Sequence, residues 1–176
     1  HVKVHKAGGQ KAMPCEHRFG RMNTFFDENM NLQPPQEKIP RICLFGSSSL
    51  EGFKGKLPDD YEVINRGISG DTLGIFSHGL SRRMETSVFD VDPDYVFILN
   101  GRNDLSVWNK KKDMPIEKMV EMMVHEYGKI VETIKTRSSK TRIIVITSPG
   151  VCAKYEWMKD ALDLYITELK KMCKEK

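Results

Sequence analysis

The chain lacks long hydrophobic runs. The longest are Val96-Phe97-Ile98-Leu99 and Ile143-Ile144-Val145-Ile146, far short of the ~20 residues that span a bilayer as a helix. A dominant charge is missing too. Lys and Arg number 28 against 24 Asp and Glu, a net +4 scattered along the sequence, which gives no footing for a nucleic-acid-binding stripe. Cysteine is sparse: residues 15, 43, 152 and 173, with no CxxC and no His/Cys pair at zinc-ligand spacing. No metal site is expected, and the four read as reduced thiols in a reducing compartment. No charged segment followed by an apolar one marks a leader, and the start at His1 reads as a processed product or a fragment. There is no internal repeat, no low-complexity tract, no GxGxxG and no P-loop lysine.

What is present suits one packed domain. The 176 residues are 39% hydrophobic and 30% charged, enough apolar matter for a core and too little charge for wholesale disorder. Residues 1–14 are small, polar and basic and form no clear element, so they are read as an N-terminal arm before one domain over 15–176. Phe19, Met22, Phe26 and Met30 recur at helical spacing and predict an amphipathic helix from Glu16 to Met30, stopped by Pro34-Pro35. Four apolar strands follow: Arg41 to Phe45, Tyr61 to Asn65, Tyr95 to Leu99 and Arg142 to Thr147. Between them, Asp71 can cap a helix running to about Val88, and Ile116, Met119, Val120, Met123, Tyr127, Ile130 and Ile134 mark the inner face of another. A last helix from about Tyr155 carries Met158, Leu162, Tyr165, Leu169 and Met172 on one stripe, and the methionine-rich stripes are read as core filling. Strands apolar throughout and alternating with helices predict a three-layer α/β/α domain with a central parallel sheet.

Ligands bind outside the carboxyl ends of strands in such sheets. Here those ends carry Gly46-Ser47-Ser48-Ser49, Gly67-Ile68-Ser69-Gly70-Asp71, Asn100-Gly101-Arg102-Asn103-Asp104 and Thr147-Ser148-Pro149-Gly150. A hydroxyl beside backbone and side-chain amides is what acyl transfer requires: the hydroxyl attacks a carbonyl and the donors hold the negative charge on its oxygen. Each residue also has a plainer reading. Ser48 can cap a helix, Gly70 can serve a tight turn, and Asn103 can hold a loop through local hydrogen bonds.

The stretch Phe45 to Phe53 resembles the first block of the SGNH (GDSL-type) esterases and lipases. Asn65 to Thr72 resembles their second block, and Gly101-Arg102-Asn103-Asp104 matches the GxND of the third. The three fall in the family's order, and the segment with Phe26, Glu28 and Asn29 looks like its lead-in helix. The resemblance implies the flavodoxin-like SGNH-hydrolase fold. It also implies a serine hydrolase of small acyl or acetyl esters, such as an acetylated sugar or a lysophospholipid, with no cofactor. Carried over, Ser48 is the nucleophile and lends its own amide, Gly70 supplies a second N–H, and Asn103 donates its side-chain amide. Trp108 and the Lys110-Lys111-Lys112 run are expected on a loop at or beside the mouth.

Two positions depart from the pattern. Ser47 stands where the family's opening block has Asp. The family's Asp-x-x-His after a fifth strand has no counterpart before Lys176, so the domain is expected to lack its last strand. His17, His78 and His125 are read as helical surface or boundary residues. The stretch His1 to Met13 resembles the displaced final block, which makes His1 the candidate base; His5 has Val2 where the motif needs an acid. A circular permutation, the tail of a preceding similar domain, and a plain terminal arm all accommodate this. A missing chain segment or a protein partner would then complete the domain. The alternative function is therefore a catalytically incomplete SGNH-like domain serving as a structural or binding subunit. A phosphate binder using the GSSS turn is a third reading.

Overall fold

A computed structural model describes residues 14–55, 58–76 and 78–175. Helix α1 (Pro14–Asn31) leads into strand β1 (Arg41–Gly46), the short helix α2 (Ser48–Glu51) and strand β2 (Glu62–Gly67). Strand β3 (Tyr95–Leu99), helix α3 (Arg102–Lys111), helix α4 (Ile116–Arg137), strand β4 (Arg142–Val145) and helix α5 (Lys159–Glu175) complete the order. The strands form one parallel sheet in the order β2-β1-β3-β4, the α/β architecture that apolar strands alternating with helices predict.

The main core lies on the face that carries Cys43, Phe45, Val96 and Ile98, against Met119, Met123, Tyr127, Ile130 and Ile134 of α4 and Leu162, Tyr165 and Leu169 of α5. Every residue of the expected α5 stripe is buried, and on α4 only Ile116 is left partly exposed. A smaller cluster of Ile42, Leu44 and Leu50 occupies the other face, with Tyr95, Phe97 and Leu99 half-buried around it. Tyr127 Oη donates to the Ile98 carbonyl at 2.9 Å, so the ring fills the core while its hydroxyl is satisfied.

Three expectations fail. The stripe of α1 points outward: Phe19, Phe26 and Met30 are 70%, 59% and 73% exposed, and the buried aromatic is Phe25. The segment after Gly70 is not the expected helix. It folds as an irregular loop with a 3₁₀ turn (Leu80–Arg82) and a single π turn (Glu85–Phe89). Gly79 explains part of this, since its φ is +157° and a Cβ there would lie 2.3 Å from the Gly74 nitrogen, a close approach that only glycine allows. Trp108 and the lysine run are not on a loop either. Trp108, Lys110 and Lys111 belong to α3, Lys112 ends it in the left-handed conformation, and the Trp108 ring N–H donates to the Met114 carbonyl. Cys43 is buried, whereas Cys152 and Cys173 are exposed. No helix of the described residues is long and apolar enough to cross a membrane.

Candidate active site

Strand order places the predicted residues. The chain passes from β1 to β2 on one side and then to β3 on the other, so the loops after β1 and β3 diverge at a topological switch point. Ser48 opens α2 directly after β1, Gly70 lies in the turn after β2, and Asn103 stands in the first turn of α3 after β3. All three therefore sit at the carboxyl edge of three adjacent strands.

Ser48 is exposed, and its side chain makes no hydrogen bond among the described residues. The residue that caps α2 is Ser47, buried and without a side-chain capping bond, so capping does not account for Ser48. Gly70 follows Ser69 in a turn closed by the Asp71 N–H on the Ile68 carbonyl at 3.1 Å. Its φ of +77° suits the third position of a type II turn, and the space a Cβ would occupy is open. The Gly70 N–H has no partner among the described residues. The Asn103 Nδ2 donates to the Asp71 carbonyl at 2.7 Å, a bond to another strand's loop rather than a local one, and its second amide hydrogen is left available.

The third block does more than the resemblance assigns it. Asn100 Nδ2 donates to the Thr72 carbonyl at 3.0 Å, and both oxygens of Asp104 accept the Leu73 N–H at 3.1 Å. With Asn103 on Asp71, three side chains hold three successive residues of the loop after Gly70. Their spacing of three and four along the β3–α3 junction was the available sequence signal. Asp104 is fully buried. Burial, with the Asp71 and Glu126 charges adding to it against the backbone N–H bonds, pushes its carboxyl up to about 7.

From the other side, α1 and α2 bracket the same loop. Glu51 Oε2 accepts the Ser69 N–H at 2.6 Å, while His17 Nε2 meets Glu51 Oε1 at 2.8 Å and Arg21 Nε lies 3.4 Å from it. Arg18 Nη2 reaches the Gly70 carbonyl at 3.5 Å, and its Nε stands 3.5 Å from Asp71 Oδ1 without hydrogen-bond alignment. Asp71 itself is wholly buried and paired with Arg83 at 2.7 Å. Sequence reasoning missed these residues because Glu51, Arg18 and Arg83 match no catalytic spacing.

Of the histidines, His17 is bound to Glu51 and His125 is exposed on α4. His78 lies in the loop rather than on a helix. Burial and Arg18 depress its pKa, with Asp71 opposing. His1 lies outside the described residues, and none of the described histidines bonds Ser48.

The chain from Phe45 to its last residue, 45–176, matches the model of the GDSL-like lipase/acylhydrolase family. Solved structures share the fold. A Streptococcus pneumoniae protein described as a platelet activating factor superposes with a TM-score of 0.69 at 16% identity, covering 92% of this chain and 72% of its own. A GDSL-like lipase from Bacteroides thetaiotaomicron gives 0.63 at 22% identity over 88% and 72%. An acetylxylan esterase from Geobacillus stearothermophilus gives 0.58 at 19% over 77% and 72%. No curated protein matches the chain by sequence. Because the family model spans most of the chain and its strand-end blocks meet at one sheet edge, the protein belongs to the GDSL-like lipase/acylhydrolase family.

Proposed function

We propose that the protein is a serine esterase acting on small acyl or acetyl esters, of the acetylated-carbohydrate or lysophospholipid type, through an acyl-enzyme. The observation that carries this reading is the exposed, unbonded Ser48 at the same sheet edge as the partnerless Gly70 N–H and the half-committed Asn103 amide.

Ser48 Oγ attacks the ester carbonyl carbon while its proton passes to a base. The carbonyl π pair moves to oxygen, and that oxyanion takes hydrogen bonds from the Ser48 and Gly70 N–H groups and from Asn103 Nδ2. Collapse breaks the ester C–O bond, and the departing alkoxide takes the proton back from the base. Water then repeats the sequence on the acyl-Ser48 bond and releases the acid. On the family resemblance, His1 is the proposed base. Donors held by fixed loops need no reorganisation as charge develops, which is why the pins from Asn100, Asn103 and Asp104 matter to rate.

The contrasting reading, a catalytically incomplete domain that binds rather than cleaves, is favoured by one observation: no described histidine bonds Ser48. A fluorophosphonate probe and p-nitrophenyl acetate separate the two. The esterase labels at Ser48 and hydrolyses the ester; Ser48→Ala abolishes both, and Asn103→Ala lowers turnover by ~10²–10³. A folded wild-type protein that takes no label, or labelling that survives in Ser48→Ala, overturns the esterase reading.

A further inference from the structure

Helix α2 is only four residues long, yet its two ends do different things. Ser48 begins it and Glu51 ends it, three residues on and so on the same side of the helix. The helix is itself fixed to β2: Asn65 Nδ2 donates to the Leu50 carbonyl at 2.6 Å, and Asn65 Oδ1 accepts the Gly67 N–H at 2.9 Å. Glu51 then reaches across to the next loop and accepts the Ser69 N–H at 2.6 Å, one peptide before the Gly70 N–H. Its second oxygen is braced from α1 by His17 at 2.8 Å and Arg21 at 3.4 Å.

Building on the esterase reading, we propose that Glu51 is a positioning residue. Braced by His17 and Arg21, it sets the Ser69–Gly70 peptide at the distance from Ser48 that an oxyanion requires. The nucleophile and the amide facing it thus hang from one rigid piece, α2, rather than from two independent loops. Burial pushes the Glu51 carboxyl up, but the Ser69 and His17 hydrogen bonds outweigh it and hold it below the ordinary glutamate range, so the acceptor is ionised across the neutral range. A charged acceptor on a backbone N–H is stronger than a neutral one. Misplacing a catalytic group by about 1 Å can cost ~10²-fold in rate, so a single anchor of this kind has leverage on turnover without touching substrate.

Two readouts test it, one of them blind to catalysis. In Glu51→Ala, hydrogen exchange in the peptide spanning residues 66–73 rises at least ~10-fold while α4 peptides keep wild-type rates. Turnover of p-nitrophenyl acetate falls ~10–100-fold with KM within ~3-fold, and fluorophosphonate labelling of Ser48 slows in step. Glu51→Gln, which keeps an acceptor for Ser69, recovers most of the turnover. Should Glu51→Ala fail to fold, His17→Gln at a half-exposed site carries the test through a smaller rise in exchange at residues 66–73. Unchanged exchange there in every folded variant overturns the proposal, as does a fall in kcat/KM carried by KM alone. If the wild type neither labels nor hydrolyses, the esterase reading fails by itself, and the exchange measurement still decides whether Glu51 holds the loop.

Discussion

Helices α4 and α5 dock on the sheet by hydrocarbon, whereas α1 docks by charge. On the α4 and α5 side, methionine, isoleucine, leucine and tyrosine side chains interlock over Val96 and Ile98. On the α1 side, three arginines are almost sealed from solvent. Arg66 pairs with Glu28 and donates to Asn29 Oδ1 at 2.6 Å; Arg83 pairs with Asp71 and donates to the Gly46 and Arg66 carbonyls at 2.9 and 2.8 Å. Arg41 pairs with Glu62 and donates to the Val91 carbonyl at 2.7 Å. Phe25 stands among them, its centroid 4.7 Å from the guanidiniums of Arg21 and of Arg66. The ring's negative face attracts the cations while its bulk keeps them apart. The contrast teaches that buried charge is tolerable when each guanidinium is paired with a carboxylate and bonded to further acceptors, even with the Nε of Arg66 left without one.

The largest expected effect breaks the charged side. Arg83→Ala takes from the buried Asp71 its hydrogen-bonded cation, leaving only Arg18 at 3.5 Å, and is expected to cost about 3–5 kcal/mol by denaturant unfolding. Arg83→Met with Asp71→Leu should recover part of that loss, because neither ion of the pair is left buried alone, while Arg18 and the Gly46 and Arg66 carbonyls each lose one partner. On the hydrocarbon side, Ile130→Ala should cost about 2–5 kcal/mol with no such rescue. If the Arg83 and Asp71 single variants add up in the double, the two sides do not differ in kind.

A second measurement sharpens the comparison through the one carboxyl that the α3–α5 region buries without a cation. The folded pKa of Asp104, about 7, exceeds its ordinary 3.8. The native state therefore binds the proton more tightly, and stability from this group falls as pH rises from about 4 to 7 and is flat above. Asp104→Asn keeps an acceptor for Leu73 and removes that slope. Its melting temperature relative to wild type should climb across this window and be the higher of the two at pH 8. A parallel pair of curves would show that Asp104 is ionised throughout.

The smallest effect belongs to the outer face of α1. Phe19→Ser and Phe26→Ser should each change stability by no more than about 0.5 kcal/mol, because neither ring contributes to the docking.

The same contrast governs how far the fold could be read from residues alone. Apolar periodicity located α4 and α5, and nearly all of the residues expected on their inner faces are buried, because hydrocarbon burial writes itself as spacing. The α1 stripe misled, since what docks α1 is Phe25 flanked by Arg18, Arg21 and Glu28, which a hydropathy pattern scores as the wet side. The loop from Asp71 to Val91 misled for a related reason. Leu73, Leu80, Val88 and Val91 are fully buried, yet side-chain pins at Asp71–Leu73 and two separate short turns replace one continuous helix. That Ser48, Gly70 and Asn103 stand at strand ends was legible, because short blocks directly after the apolar strands carry them. The contacts of Asn100, Asp104, Glu51 and Arg83 that tie the loops together were not, since those partners lie 12 to 37 residues away.

Arg83 reaches the last carbonyl of β1, the Arg66 carbonyl near the end of β2, and the carboxylate beside Gly70 at once. One guanidinium thereby keys together the ends of the two strands that lead into Ser48 and Gly70. On the proposed esterase reading, thermal inactivation is then expected to coincide with loss of the native fold, because the two strand ends that Arg83 ties would loosen together instead of one loop softening first.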